Sequence, residues 1–105
     1  GLRQAPGDGD LLHAMGLLRV RQQRLADALP LLQQAARARA DNPRYAYVLA
    51  VALHEAGNGR ESRQVLRQAL ERFPNDRELL AASADYAPAA NDRAAAEEYS
   101  RRLSP

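Results

Sequence analysis

The chain has no cysteine, no tryptophan and no lysine among its 105 residues, and its aromatic residues other than histidine are four tyrosines and one phenylalanine. Without cysteine, disulfides, thiolate nucleophiles and cysteine-ligated metals are excluded. All fifteen basic residues are arginines, which reads as the base composition of a GC-rich bacterial genome rather than as function. The formal charge is only +2, with acids and bases alternating and no block of either sign. A surface that tracks phosphates needs more charge and more clustering, so a nucleic acid partner is not expected. No apolar run approaches ~18 residues, so no segment is expected to insert into a membrane. A chain this short makes one small domain and cannot wall off a deep catalytic pocket.

What the chain does contain is alanine and leucine, both strong helix formers, arranged with a period of 34 residues. The clearest copy runs from Pro43 to Asp76 and carries Ala50, Gly57, Leu66, Ala69 and Pro74. Thirty-four places earlier stand Gly16, Leu32 and Ala35, and 34 places later Ala84, Ser100 and Leu103. Three copies fit, at 9–42, 43–76 and 77–105. Gln4 to Asp10 is rich in Gly and Asp around Pro6, so residues 1–8 read as a linker. The start at Gly1-Leu2, without an initiator methionine, is that expected of a fragment of a longer chain.

Start and stop signals divide the copies into six helices. The first is expected from about Asp10 to Gln22, with Asp8 or Asp10 as N-cap, and the second from about Leu25 to Ala40. Gln23 stands in the turn between them where a glycine is usual, and Pro30 is expected to kink the second helix. Asn42 as N-cap with Pro43 at the first helical position opens the third helix, and Gly57 closes it. Asn58 with Glu61, and Asn75 with Glu78, have the spacing of capping boxes for the fourth and fifth helices. Asn91 or Asp92 opens the sixth, which ends near Leu103.

A helix-turn-helix unit repeated every 34 residues resembles the tetratricopeptide repeat. The small residues that this family places where its two helices cross are matched by Gly16, Ala50 and Ala84, then by Ala28, Ser62 and Ala96, and by Ala35 and Ala69 with Leu103 in the third copy. The chain departs from the family at its large aromatic position, which holds Leu12, Ala46 and Leu80, and at its usual tyrosine, replaced by Leu25, Gly59 and Arg93. The resemblance implies an all-α fold, a right-handed α-solenoid of three repeats and about six helices in one domain over 9–105. Ser83, Ser100 and Ser104 replace apolar residues of the earlier copies, as expected of a terminal repeat that must keep a polar outer face.

The resemblance further implies that a ligand would lie against the first helix of each repeat. The rows of side chains there are Asp10, Arg44 and Glu78; His13, Tyr47 and Ala81; Leu17, Val51 and Asp85; Val20, His54 and Pro88; and Arg21, Glu55 and Ala89. They describe a shallow groove with an apolar floor at Leu17, Val20 and Val51, an aromatic contact at Tyr47 and charged ends. The partner-binding candidates are thus His13, Leu17, Val20, Arg21, Arg44, Tyr47, Val51, His54, Glu55 and Asp85. Among the charges, Asp10 with Arg44 and Arg21 with Glu55 are expected as solvated pairs worth about 0–1 kcal/mol each. The carboxylate clamp of co-chaperone members is absent, because the places of its basic and amide residues are held by His13, Leu17, Val48, Ala81 and Asp85.

Catalysis is not expected. His13 and His54 lie about seven residues of helix rise apart on neighbouring helices, roughly 10 Å along the axis and as much between axes, too far for one metal ion. Glu97 and Glu98 point about 100° apart and form a solvated face. No serine stands in a nucleophile elbow, and neither metal nor cofactor is expected. Two functions fit: a module that holds a peptide or helix of a partner protein in the groove, or a structural element whose terminal helices stack on a second copy, giving a homodimer, or on the rest of its parent chain. Asp41 to Gly57 resembles the C-terminal repeat modules of larger bacterial proteins, some with multi-haem domains upstream. That likeness allows a bacterial cytoplasmic location, or a periplasmic one if the parent chain carries an export signal.

Overall fold

The computed structural model describes residues 8–87 and 92–103. Six helices follow one another, α1 (Gly9–Arg21), α2 (Leu25–Ala38), α3 (Pro43–Glu55), α4 (Gly59–Arg72), α5 (Arg77–Tyr86) and α6 (Arg93–Leu103), with no strand among the described residues. The expected linker lies outside the described residues except for Asp8, and so do Pro88, Ala89, Asn91 and Ser104.

The helix starts follow the side chains that can satisfy free amide groups. Asp8 caps α1, its Oδ1 accepting from the amides of Asp10 at 3.0 Å and Leu11 at 3.2 Å. Asn42 caps α3 by accepting from the Arg44 amide at 3.1 Å, with Pro43 at the first turn. Asp92 does the same for α6 through the Ala95 amide at 3.1 Å. The two capping boxes do not form. At the head of α4 the Asn58 backbone is not extended and its side chain makes no cap bond, while Glu61 reaches across to accept from Gln33 Nε2 at 3.5 Å. Asp76 rather than Asn75 caps α5, accepting from the Leu79 amide at 3.0 Å, and Glu78 is drawn instead to Arg44. A carboxylate at this position also gains from the partial positive charge of the helix N-terminus, which an amide does not.

The first two α-hairpins close with the same turn. Gly57 takes φ +86° and Asn58 donates to the Leu53 carbonyl at 2.8 Å. Gln23 takes φ +60° in the equivalent place, and Arg24 donates to the Arg19 carbonyl at 2.8 Å. The turn motif therefore survives the loss of its glycine, at the steric cost that a side chain carries in the left-handed region. The second helix runs through the exposed Pro30 without ending there, and stops at Ala38 rather than Ala40.

Each helix packs on the next, and α3 also touches α5 directly, so the odd-numbered helices form one wall and the even-numbered helices the other. The result is a slab of 47 × 26 × 18 Å. Ala28 and Leu32 of α2 bury Leu49, Ala52 and Leu53 of α3. A second cluster joins Ala50 of α3, Leu66, Ala69 and Leu70 of α4, and Leu79, Leu80 and Ala82 of α5. Small residues sit where helices of a pair cross: a Cβ on Gly16 would lie 2.6 Å from Leu32 Cδ2, and Ala50 is fully buried with its carbonyl accepting from Ser62 Oγ at 2.7 Å. The third pair is looser. No residue of α6 is fully buried; it packs on the rest through Tyr99 and Leu103, and Arg102 donates to the Pro74 carbonyl at 2.7 Å.

Candidate functional site

The wall of α1, α3 and α5 carries two rings of contact between successive helices, one near each end. At the N-terminal end, His13 of α1 stacks on Tyr45 of α3 with centroids 3.9 Å apart and planes 6° from parallel. At the other end, His54 of α3 stacks on Tyr86 of α5 at 3.8 Å and 3°. Both pairs are spaced 32 residues, two short of the repeat, so each histidine meets a ring two residues before its own repeat equivalent on the next helix. Two of the candidate ligand contacts are therefore packed against protein. His13 is buried, and its Nδ1 has no hydrogen-bond partner. Among the described residues no three potential metal ligands come together.

The charges pair differently from the expectation. Asp10 is held by the Tyr45 hydroxyl at 2.5 Å and by Arg39 at 2.7 Å, not by Arg44. Arg39 lies at the end of α2, already tethered to Asp41 at 3.3 Å, and so reaches Asp10 from within its own hairpin. Arg44 instead pairs with Glu78, one repeat onward, at 2.6 Å. No ion pair joins Arg21 and Glu55, both exposed at helix ends, where water competes with a long-side-chain pair. The Tyr45 hydroxyl, then the charge of Arg39, lower the Asp10 carboxyl pKa, and the same hydrogen bond raises that of the Tyr45 phenol.

Burial, and then the positive charge of Arg44, hold the His13 pKa below its ordinary value. The folded chain thus binds a proton at His13 less readily than the unfolded chain does, so stability rises with pH between the two pKa values. The contribution is whole above the unfolded value of about 6.5 and is lost as pH falls through the folded one. The melting temperature is expected to fall on acidification from pH 8 to 5 in the wild type. It should fall less in His13→Gln, which has no proton to take up; identical slopes would show that His13 does not report on folding.

Of the ten candidates, the structure brings Tyr47 and Asp85 into one depression of 380 Å³ on the α3 and α5 side, with Glu78, Ala81, Tyr86 and Arg77 around them and Leu103 of α6 at its edge. Tyr47 is half-buried, its ring resting on the α3–α5 core. Arg44 reaches this rim through Glu78. Val51 and His54 are half-buried on α3, Leu17 is exposed on α1, and Val20 is turned inward onto the α2–α3 cluster. Burial, reinforced by the nearby Tyr47, Glu55 and Asp85, raises the Tyr86 phenol pKa, which marks this end of the wall as acidic. Tyr45 and Tyr86 escaped the groove rows because those rows step by 34; a search for aromatic partners at 32 would have found both. The even-helix wall has two hollows of its own. One of 400 Å³ lies between α2, α3 and α4 over Ala36, Leu49, Val65 and Phe73, and one of 220 Å³ lies beside Arg63, Arg67 and Tyr99.

The profile of the tetratricopeptide repeat family matches residues 13–77. The chain belongs to the tetratricopeptide repeat family. Among solved structures it is similar to MamA of MSR-1, with 25% identity, a TM-score of 0.79, and cover of 97% of this chain and 59% of MamA. For two MamA structures of AMB-1 the values are 26%, 0.81, 97% and 56% in one, and 26%, 0.79, 97% and 60% in the other. The chain thus spans about three fifths of the length of these relatives. No curated protein matches it. These likenesses carry the fold, a solenoid of helical hairpins, and the general character of such folds as protein-interaction scaffolds.

Proposed function

We propose that this tetratricopeptide domain is a non-catalytic binding module that holds a peptide or helix of a partner protein against α3 and α5. The observation that carries the reading is the placement of Tyr47 beside Asp85 and Tyr86 in an open depression on the α3 and α5 side. Rings half-fixed by packing supply contact area at little further entropy cost, and such central aromatic residues carry a large share of interface energy. The remaining candidates fall into two roles. His13, His54 and Val20 set the spacing of the wall, and Leu17, Val51, Arg21, Glu55 and Arg44 border it.

Capture of partner protein from a lysate of the source organism by immobilised wild type and Tyr47→Ala tests this. Tyr47→Ala should reduce recovery of the same captured protein by about tenfold or more, equivalent to roughly 1.4 kcal/mol, with an unchanged circular dichroism spectrum. Undiminished capture by Tyr47→Ala together with its loss in Arg67→Ala would place the site on the even-helix wall.

A second reading, association of the chain through a terminal helix, is favoured at one end only. At that end α1 exposes Leu11, Met15, Leu17 and Leu18, whereas α6 at the other carries Ser100 where α2 and α4 have the buried Leu32 and Leu66.

A further inference from the structure

Three side chains of α1, one turn apart, form a bare apolar stripe: Leu11 is 46% exposed, Met15 39% and Leu18 47%. The same positions one repeat later are Tyr45, Leu49 and Ala52, and two repeats later Leu79, Ser83 and Tyr86. There the face is covered. Leu49 and Ala52 are buried against α2, and Leu79 packs with Leu66 of α4. Among the described residues, the α1 stripe is therefore a helix-docking face of proven type with no helix set on it.

Arg19 decides which helix can cover it. It occupies the position of Leu53 and Ala87, both buried. A helix set on α1 as α2 is set on α3 would bury the guanidinium, at a cost well beyond what the stripe returns unless that helix places a carboxylate opposite it. Stacking α6 of another copy there opposes Ser100 and Arg101 to leucines, and the Glu98 carboxylate of α6 is already paired with Arg101. A second α1 laid antiparallel has neither fault. Rotation about Met15 brings Leu11 of one helix against Leu18 and the stem of Arg19 of the other, and sets Asp8 at the start of one helix near Arg19 and Gln22 at the end of the other.

We propose that two copies of the chain pair through α1, antiparallel about a two-fold axis at Met15, with Leu11 and Leu18 in apolar contact and Arg19 answered by Asp8 of the partner copy. The pairing rests on the association reading above and leaves the depression at Tyr47 free. A face one helix wide is smaller than the ~800 Å² per partner of a standard interface, so the dimer is a weak one.

The chain's lack of cysteine makes cross-linking a direct test. Met15→Cys should form a disulfide dimer in a glutathione buffer, because only a residue on the axis meets its own copy within the ~4.4–6.8 Å between Cα atoms that the bond requires. Leu11→Cys and Leu18→Cys alone should cross-link about tenfold more slowly, and a mixture of the two should give the heterodimer. In sedimentation equilibrium the wild-type mass should climb from 11.5 kDa towards twice that value between ~10 μM and ~1 mM, the range of a weak interface. Leu18→Gln, at an exposed position, and Arg19→Glu, at a half-buried one, should stay monomeric with unchanged helix content. A wild type that is monomeric throughout overturns the pairing and the association reading together. A dimer that tolerates Leu18→Gln but is lost on changing Tyr99 and Arg102 keeps association and overturns the α1 pairing. Self-cross-linking of Leu18→Cys as fast as Met15→Cys overturns the antiparallel geometry.

Discussion

Ala50→Leu is expected to destabilise the chain by about 1–3 kcal/mol, a fall in melting temperature of roughly 5–20 °C for a domain of this size. Ala50 is fully buried at the crossing of α3 and α4, in one cluster with Leu66, Ala69 and Leu79. Its carbonyl accepts the Ser62 hydroxyl at 2.7 Å, so the two backbones are held at a separation that only small side chains allow. Three added carbons must displace α4, and α4 in turn positions α5. The control is Ala81→Leu, at an exposed site on α5, where a change should stay within about 0.5 kcal/mol. Thermal melts followed by circular dichroism compare them. Equal losses in the two variants would mean that Ala50 is not at a close approach.

The same residue shows why the fold was legible in the sequence. Close packing of helices demands small side chains at fixed intervals, and Gly16, Ala50 and Ser62 meet that demand through the repeat itself, independent of any ligand. Caps were half legible. Asn42 with Pro43 admits one reading, but Asn75-Asp76 offers two acceptors, and the carboxylate wins on charge. Gln23 shows the opposite limit: its φ of +60° is imposed by the hairpin and has no local sequence signal.

The groove was less legible, because its rows assume that successive helices lie in strict register. His13 with Tyr45 and His54 with Tyr86 reveal an offset of two residues between stacked rings. That offset turned two apparent ligand contacts into packing, whereas Arg44 keeps the 34-residue register with Glu78 and Asp10 is taken by Arg39 of its own hairpin. Tyr47 and Asp85 are brought into the same depression because they are separated by 38 residues, 34 plus one helical turn, and so face each other across α3 and α5.

Leu79→Ala should have the largest effect of any single change at the site's foundation, about 2–5 kcal/mol for a buried leucine that leaves a cavity. Leu79 is fully buried between α4 and α5 and does not itself line the depression, though it shares with Ala82 a core cluster against which Tyr47 and Tyr86 pack. The hairpin it anchors is the weakest of the three, since α5 has only ten residues and α6 has none that is fully buried. Helices this short are marginal by themselves, so α5 and α6 depend on the interface for their structure. In a chain of stacked hairpins each contacts only its neighbours, and loss of one interface detaches what lies beyond it. Hydrogen exchange in Leu79→Ala should therefore show protection lost in α5 and α6 while α1 to α3 keep theirs. Partner capture should vanish with it, because Glu78, Asp85 and Tyr86 leave the wall on which Tyr47 remains. Uniform loss of protection in all six helices would show instead that the chain unfolds as one unit, and persistent capture with α5 detached would move the partner off the α3–α5 wall.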